Sequence, residues 1–325
     1  MKTLIAITCG DINGISYEIV LKAIADKKIK AICEPILIGS LNVLNFYNKR
    51  LKLNLKFFDF DLQKKTSAND FFVIDIGKSI PHKIQLGKTT KDSGTISLLS
   101  LKKGIEVCKK NITNILVTSP VSKEAISMCE KKFKGQTEFF GNHFHSKNFA
   151  MMMLNNKIRI VLATTHIPIQ NVSKQISKEL ISKKLQLIFK SLKNDFKIKF
   201  PKIAVIGLNP HAGENGIIGN EEEKIIKPVL QKFDFAFGPF SSDAFFGNKN
   251  YKNYDAVFSM YHDQGLIPFK MLGIKDGINF TIGLPIVRTS PAHGTAFDIA
   301  GKNTADSSSL IYAILNGIKI WKSRN

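Results

Sequence analysis

The sequence predicts an α/β protein with two lobes, in which mainly parallel sheets are flanked by helices. Three observations support this fold class. Short apolar runs recur along the chain, the segments between them carry the helical period, and the 325 residues exceed the roughly 250–300 at which one hydrophobic core stops growing. Strands that alternate with amphipathic helices form parallel sheets covered by helices.

The predicted strands are the apolar runs. The run nearest the start, at residues 4–8, is too short for a signal peptide and is typical of a first buried strand. The predicted strands lie at residues 4–8, 36–38, 71–76, 115–117, 158–163, 203–208 and 256–260.

Two of the intervening segments show the helical period most clearly. Residues 15–25 place Ile15 and Ile19 on one face, and residues 177–193 do the same with Leu185 and Ile188. No segment rich in Pro, Gly or Ser marks a boundary between the lobes. We therefore expect the chain to cross between the two lobes more than once.

Composition limits the possible partners and compartment. The net charge of +21 is spread along the chain without an arginine-rich arm or an RNA-binding aromatic motif, so we expect no nucleic-acid partner. No stretch approaches the roughly 18 consecutive apolar residues of a membrane span, so no membrane association is expected either. The 4 cysteines lack paired spacing, which is typical of reduced thiols in a cytoplasmic protein.

Three histidines follow predicted strands at short distance. His166, His211 and His262 lie in the segments TTHIP, NPHAG and YHDQG, after the runs that end at residues 163, 208 and 260. Loops that leave the carboxyl ends of parallel strands form the ligand-binding edge of such a sheet. Three imidazoles delivered to one edge predict a catalytic divalent-metal site with a position open for substrate.

Two carboxylates are candidate catalytic groups beside these histidines. Asp263, next to His262, either orients that ligand or takes part in proton transfer. Asp243 lies in a loop-like SSDA stretch, and it is either a catalytic carboxylate or a helix cap.

Anion-binding candidates follow downstream. Lys270, Asn279 and Arg288 all come shortly after apolar residues. The planar fork of arginine suits a carboxylate or a phosphate, and lysine acts as a point charge. Arg288 is the most informative of the three because arginine is scarce in this lysine-rich chain.

The segment SPAHGTAFDIAGK at residues 290–302 has a combination of residues that is too unusual for an ordinary turn. The Gly-x-Gly-x-x-Gly fingerprint of a Rossmann fold is absent after the first strand. A nicotinamide cofactor would therefore have to be bound by a loop typical of another fold.

The chain resembles the family of 4-hydroxythreonine-4-phosphate dehydrogenases nearly from end to end. The resemblance is carried by the three histidine segments and by residues 290–302. It is also carried by GDINGI at residues 10–15, TSPVSK at 118–123 and GQTEFF at 135–140. It implies the two-lobed fold of isocitrate and isopropylmalate dehydrogenases, with the active site in the cleft between the lobes. The implied lobes are residues 1–119 with 268–325 on the cofactor side, and residues 120–267 for metal binding and dimerisation.

The resemblance also implies the roles of individual residues. His166, His211 and His262 would bind a divalent cation (zinc, cobalt or magnesium) in a site shared between the subunits of a homodimer. Gln136, Thr137, Lys270, Asn279 and Arg288 would contact a small phosphorylated substrate. His293, Gly294 and Asp298 lie in a segment similar to the nicotinamide-cofactor loop of the isocitrate dehydrogenase fold, which implies NAD or NADP.

The implied reaction is oxidation of the C3 hydroxyl of 4-phosphooxy-L-threonine by NAD, followed by decarboxylation to 3-amino-2-oxopropyl phosphate in pyridoxal 5′-phosphate biosynthesis. A divalent metal and NAD suit both steps. The chain departs from the family pattern at Gln136, where the family usually has histidine, and in the opening loop, which lacks the usual prolines. Glutamine donates a hydrogen bond to phosphate but carries no charge.

Three other functions remain open at this point. A sister dehydrogenase would act on a phosphorylated sugar acid such as threonate or erythronate phosphate, and Gln136 is the feature that favours it. A metal-dependent hydrolase would use the histidines to activate water, but it would not need residues 293–302. A basic binding module would show salt-sensitive binding of nucleic acid.

Overall fold

The computed structural model describes residues 2–61 and 70–325. The chain divides into two compact units, Met1–His145 with Pro285–Trp321 and Ser146–Leu284 with Lys322–Asn325. They are called the first and the second unit below. The strands are β1 (Thr3–Thr8), β2 (Cys33–Gly39), β3 (Lys56–Asp59), β4 (Asp70–Asp75), β5 (Ile115–Thr118), β6 (Ala150–Leu154), β7 (Arg159–Leu162), β8 (Ile203–Ile206), β9 (Ala236–Phe240), β10 (Ala256–Ser259), β11 (Ile278–Ile282) and β12 (Val287–Pro291).

The helices occupy the segments between these strands. They begin with side-chain caps at several places; for example, the hydroxyl of Ser177 accepts from the backbone N–H of Leu180 at 3.1 Å. The helices are α1 (Ser16–Ala25), α2 (Lys27–Ile32), α3 (Leu41–Leu51), α4 (Lys91–Lys109), α5 (Lys123–Ser127), α6 (Gln136–His143), α7 (Val172–Gln175), α8 (Lys178–Asn194), α9 (Lys227–Leu230), α10 (Ser242–Gly247), α11 (His262–Leu272) and α12 (Ser308–Arg324).

The sheet of the first unit is parallel throughout the described pairings. Its strand order is β3-β4-β2-β1-β5-β12. The central strands are fully buried from Ile5 to Thr8 and at Leu116 and Val117, as expected for a sheet covered on both faces. The carboxyl ends of β1, β5 and β12 therefore share one edge of the sheet.

The sheet of the second unit is mixed, with strand order β11-β6-β7-β10-β8-β9. Strand β6 runs antiparallel to both neighbours, whereas β7, β10, β8 and β9 are parallel to one another. The predicted α/β class with mainly parallel sheets is confirmed. Every predicted strand is present, with ends shifted by a few residues at most.

The observed bounds of the units differ from the predicted ones. Residue 120 belongs to the first unit because the carbonyl of Pro120 accepts from the backbone N–H of Asp11 at 3.0 Å and from the hydroxyl of Ser16 at 2.7 Å. Helix α5 also packs on α4 so closely that the carbonyl of Ala125 leaves no room for a side chain at Gly94. Residues 268–284 belong to the second unit because β11 pairs with β6.

Within the described residues, we find no helix with the length and apolar character needed to cross a membrane.

Candidate functional site

The three predicted metal ligands lie after three adjacent parallel strands of the second unit. His166 follows β7, His262 follows β10 and His211 follows β8, and the strand order in the sheet is β7-β10-β8. Because these strands are parallel, all three histidine-bearing loops leave the same edge of the sheet. This is the edge at which α/β proteins bind their ligands.

His166 and His262 lie close together on this edge. Their ring centroids are 5.9 Å apart, and both rings line an open depression of about 320 Å³. The backbone of His166 is left-handed, with φ of 30°, a conformation that is costly for a residue with a Cβ. The remaining lining residues are Thr164, Thr165, Ile167, Ile169, Val172, Tyr261 and Asp263.

Asp263 orients the His262 ring. The two residues open helix α11, and the Nδ1 of His262 lies 2.6 Å from the Oδ1 of Asp263. A carboxylate at Nδ1 fixes the ring and leaves Nε2 as the nitrogen able to bind a cation. The side chain of Asp263 is 71% exposed to solvent.

His211 lies on a left-handed turn. Residues His211 to Asn215 all have positive φ, at 51°, 51°, 80°, 43° and 55°. Only one of the five is glycine, and each other residue costs roughly 1 kcal/mol or more in this conformation. Unusual backbone conformations of this kind cluster at functional sites.

Asp243 lies in the first turn of helix α10 and within electrostatic reach of His211. The hydroxyl of Ser241 donates to its Oδ1 at 2.5 Å. This bond, together with the N–H of Ala244 and the neighbouring His211, holds the pKa of Asp243 below its usual value. Asp243 is therefore an ionised, exposed carboxylate on the His211 side.

The structure brings the three histidines only partly together. His166 and His262 share the depression, whereas His211 is not among its lining residues. Across residues 2–61 and 70–325, no group of three or more His, Cys, Asp or Glu side chains is arranged to hold a metal ion. The predicted trio therefore stays a prediction, with two of its members adjacent.

The histidine-bearing loops are tied together by side chains that the sequence analysis did not single out. The amide of Gln264 accepts from the N–H of Met260 and donates to the carbonyl of Gly207, both at 2.7 Å. The hydroxyl of Thr164 donates to the carbonyl of Met260 at 2.8 Å. No local pattern reveals the contacts of Thr164 with Met260 and of Gln264 with Gly207, because they join different loops.

Arg288 is the central predicted anion ligand of the first unit. It lies on β12, is 1% exposed, and stacks over the Phe140 ring with its guanidinium carbon 5.3 Å from the centroid. Burial lowers the pKa of Arg288 to about 9, and the charge of Glu138 acts in the opposite direction. A buried guanidinium is stabilised by any anion that reaches it.

The neighbours of Arg288 include neutral side chains. Its Nε and Nη2 donate to the hydroxyl of Thr118 at 3.1 and 2.6 Å, and Nη2 also donates to the Oε1 of Gln136 at 2.8 Å. The Nε2 of Gln136 donates to the carbonyl of Ser119 at 3.3 Å. Thr118 was missed as a site residue, although its place at the carboxyl end of β5 was a usable signal.

Gln136 and Thr137 open helix α6, with Gly135 at the cap position. The first turn of a helix presents backbone N–H groups and a partial positive charge to anions. Thr137 is 8% exposed. The structure thus places Gln136, Thr137 and Arg288 in one small region of the first unit.

Lys270 and Asn279 lie in the second unit. Lys270 is exposed in the last turn of α11, and Asn279 lies on β11 opposite Met153 of β6. The Oδ1 of Asn279 is buried and has no hydrogen-bond partner among the described residues. A buried acceptor without a partner is costly, which fits a site that awaits a donor from a ligand.

The predicted cofactor residues lie in the segment between β12 and α12. Gly294 and Asp298 are exposed, and a side chain added at Gly294 would meet open space. The Nε2 of His293 is buried and lacks a partner in the part of the chain that the structure describes. The segment is anchored, because the carbonyl of Thr295 accepts from the N–H of Ile15 at 2.9 Å and that of Gly301 accepts from Arg50 at 2.6 Å.

Comparison with known proteins shows the family to which the chain belongs. The model of the pyridoxal phosphate biosynthetic protein PdxA matches residues 31–316. The 4-hydroxythreonine-4-phosphate dehydrogenase of Bacteroides thetaiotaomicron is 39% identical over 328 residues, covering 99% of this chain and 90% of that protein. The D-threonate 4-phosphate dehydrogenase of Cupriavidus necator is 34% identical over 328 residues, covering 99% and 98%.

A solved structure agrees with these sequence relatives. The crystal structure of 4-hydroxythreonine-4-phosphate dehydrogenase from Klebsiella pneumoniae matches with a TM-score of 0.84 at 31% identity, covering 100% of this chain and 99% of that one. These relatives are dehydrogenases, and the chain is an oxidoreductase. It belongs to the PdxA family of pyridoxal phosphate biosynthetic proteins.

Proposed function

We propose that the chain oxidises the C3 hydroxyl of 4-phosphooxy-L-threonine with NAD and that the product decarboxylates to 3-amino-2-oxopropyl phosphate. The observation that carries the proposal is the delivery of His166, His211 and His262 to one sheet edge by adjacent parallel strands. The printed names of relatives such as that of Bacteroides thetaiotaomicron support the substrate.

The phosphate of the substrate binds at the start of α6. Arg288 supplies the positive charge, and Thr118 and Gln136 hold its guanidinium in place at 2.6 and 2.8 Å. The first turn of α6 adds the backbone donors of a helix N-terminus. Within the second unit, Lys270 offers a positive charge, and the Oδ1 of Asn279 offers an acceptor for an amino or hydroxyl group of a ligand.

The histidines fit a divalent cation by their chemistry. Imidazole nitrogens favour zinc or cobalt over magnesium, and His262 is already oriented by Asp263 with its Nε2 available. A divalent ion at this site supplies a Lewis acid for the oxygen on C3 in both chemical steps. His166 and His262 would contribute two of the ligands and His211 the third.

The metal site is completed in a homodimer. Apolar side chains in the histidine-bearing loops are exposed, with Ile169 at 71% and Ile217 at 81%. Exposed apolar surface of this kind is typical of a protein–protein interface. A second copy of the chain that covers these residues would bring its own histidines to the site.

Oxidation of the alcohol removes a proton from the C3 oxygen and a hydride from C3. The C3 hydroxyl loses its proton to a carboxylate, for which Asp263 and Asp243 are the candidates. NAD is the electron acceptor when bound, and His293, Gly294 and Asp298 would hold it. The resulting ketone is β to the carboxylate, so loss of carbon dioxide leaves an enolate that takes up a proton to give the aminoketone.

A sister activity on a phosphorylated sugar acid is the second candidate, supported by Gln136 and by the name of the Cupriavidus necator relative. The test is NADH formation by the purified protein with 4-phosphooxy-L-threonine and with D-threonate 4-phosphate under identical conditions. We expect the larger kcat/KM with the phosphothreonine. A preference for the threonate would replace the proposed substrate, and no NADH from either would favour a hydrolase.

Gln136 is expected to add no pH dependence of its own to phosphate binding between about 6 and 8. Glutamine does not titrate, and Arg288, with a pKa of about 9, keeps its proton in this range. In the Gln136→His variant, the imidazole is charged only below its ordinary pKa of roughly 6.5. We therefore expect KM for the phosphorylated substrate to fall in the variant as pH falls below about 6.5, with kcat broadly unchanged.

Steady-state kinetics from pH 5.5 to 8.5 check this expectation, with Gln231→His on the exposed end of α9 as the control. Below pH 6.5 the charged imidazole adds a cation next to the phosphate; above it, the neutral ring adds none. A large change in kcat would contradict a purely phosphate-binding role for position 136. A switch of preferred substrate would mean that position 136 sets specificity.

A further inference from the structure

Beneath the His211 turn lies a carboxylate with no role in the chemistry described above. Glu222 is fully buried at the start of a single π-helical turn, Glu222–Ile226. We propose that Glu222 is a positioning residue that holds the left-handed turn of residues 211–215 in the shape from which His211 binds the metal. This inference rests on the proposed function of His211 as a metal ligand.

Glu222 binds the backbone immediately before the turn. Its Oε1 accepts from the N–H groups of Leu208 and Asn209 at 2.7 and 2.8 Å, and its Oε2 accepts from the Nδ2 of Asn209 at 2.8 Å. Hydrogen bonds to a buried carboxylate are stronger than those between neutral groups. They fix the last two residues before Pro210 and His211.

The carboxylate also fills the concave side of the turn. A Cβ added at Gly213 would lie 2.6 Å from the Oε2 of Glu222, and one added at Gly207 would lie 3.1 Å from its Oε1. The two glycines therefore leave the space that the carboxylate occupies. Glu222 thus restricts the turn both by hydrogen bonds and by contact.

The neighbouring Glu221 extends this support toward the His166 side. Its Oε2 accepts from the Nδ2 of Asn209 at 2.9 Å, and its Oε1 accepts from the hydroxyl of Ser173 on α7 at 2.7 Å. The hydrogen bonds from Ser173 and Asn209 lower the pKa of Glu221, so Glu221 acts as an anion. Asn209 is held between the two carboxylates.

The substitution Glu222→Gln tests the proposal with little change of shape. The amide keeps one oxygen for the two backbone N–H groups, but its NH₂ would face the NH₂ of Asn209. We expect the dissociation constant for Co²⁺, titrated into the metal-free protein, to rise by about 10- to 100-fold, the range found for groups that orient metal ligands. The matched control is Glu223→Gln, whose carboxylate pairs with Lys227 on the surface; we expect wild-type affinity.

Two further measurements separate positioning from general stability. The visible spectrum of bound Co²⁺ should change in Glu222→Gln, and hydrogen exchange of residues 207–216 should accelerate while β8 and β10 stay protected. In a His211→Ala background, Glu222→Gln should weaken Co²⁺ binding no further. Should Glu222→Gln fail to fold, Asn209→Ala removes one of the same hydrogen bonds and should show the same changes at smaller size.

The possible failures are distinguishable. Wild-type Co²⁺ affinity and spectrum in Glu222→Gln would overturn the role of Glu222 while leaving the metal site intact. Additive effects of Glu222→Gln and His211→Ala would also overturn it, because the carboxylate would then act independently of His211. Failure of the wild-type protein to bind Co²⁺ would instead overturn the proposed metal site, and the positioning role with it.

Discussion

The Arg288→Lys variant is expected to lose about 10²- to 10³-fold in kcat/KM for the phosphorylated substrate, although the charge is conserved. The guanidinium donates to Thr118 and Gln136, and its planar shape fixes the directions of these hydrogen bonds. A lysine has one ammonium group on a flexible stem and cannot hold two neutral partners and a phosphate at once. Each charged hydrogen bond lost costs about 1.5–3 kcal/mol.

A second, half-buried arginine provides the matched control. Arg159 donates to the carbonyl of Asp255 at 3.1 Å and stacks over Phe196, with 4.5 Å from the guanidinium carbon to the ring centroid. It contacts none of the proposed site residues in these interactions. We expect Arg159→Lys to lower the unfolding temperature and to leave kcat and KM near wild type. Unchanged kinetics in Arg288→Lys would remove Arg288 from the substrate site.

The His262→Ala variant is expected to lose roughly 10³-fold or more in kcat, because a Lewis acid contributes several kcal/mol to oxidation and decarboxylation. The substitution removes a ring whose centroid lies 5.9 Å from that of His166 and whose Nδ1 lies 2.6 Å from the Oδ1 of Asp263. We also expect the protein to purify with less than one metal ion per site, measured by elemental analysis alongside NADH formation.

His145 is the control for His262, because it is exposed and has a positive φ of 53°. Asparagine tolerates that conformation, so His145→Asn should keep both its metal content and its activity. Full metal content with full activity in His262→Ala would exclude His262 as a ligand.

Local sequence patterns predicted the features that depend on neighbouring residues. The apolar runs predicted seven of the twelve described strands. The position of each histidine after a strand predicted one sheet edge. Arg288 stood out because arginine is scarce, and it is the largest fully buried side chain in the described residues. These signals are local because a few consecutive residues are enough to recognise a buried strand and its carboxyl end.

The features that the sequence did not predict depend on contacts between distant segments. The predicted lobe boundary at residue 120 missed the packing of α5 on α4, which only the close approach at Gly94 reveals. Lys270 follows an Ile-Pro-Phe stretch, and the structure places Pro268 inside helix α11. Glu222 and Gln264 carry no recognisable pattern, since their partners are backbone groups of other loops.

The central claim is that this oxidoreductase uses a divalent metal held by His166, His211 and His262 to oxidise 4-phosphooxy-L-threonine. The most direct measurement is NADH formation from that substrate before and after treatment with a chelator, followed by addition of Zn²⁺ or Co²⁺. We predict that the chelator abolishes NADH formation and that either ion restores it. NADH formation that persists in the metal-free protein would contradict the claim.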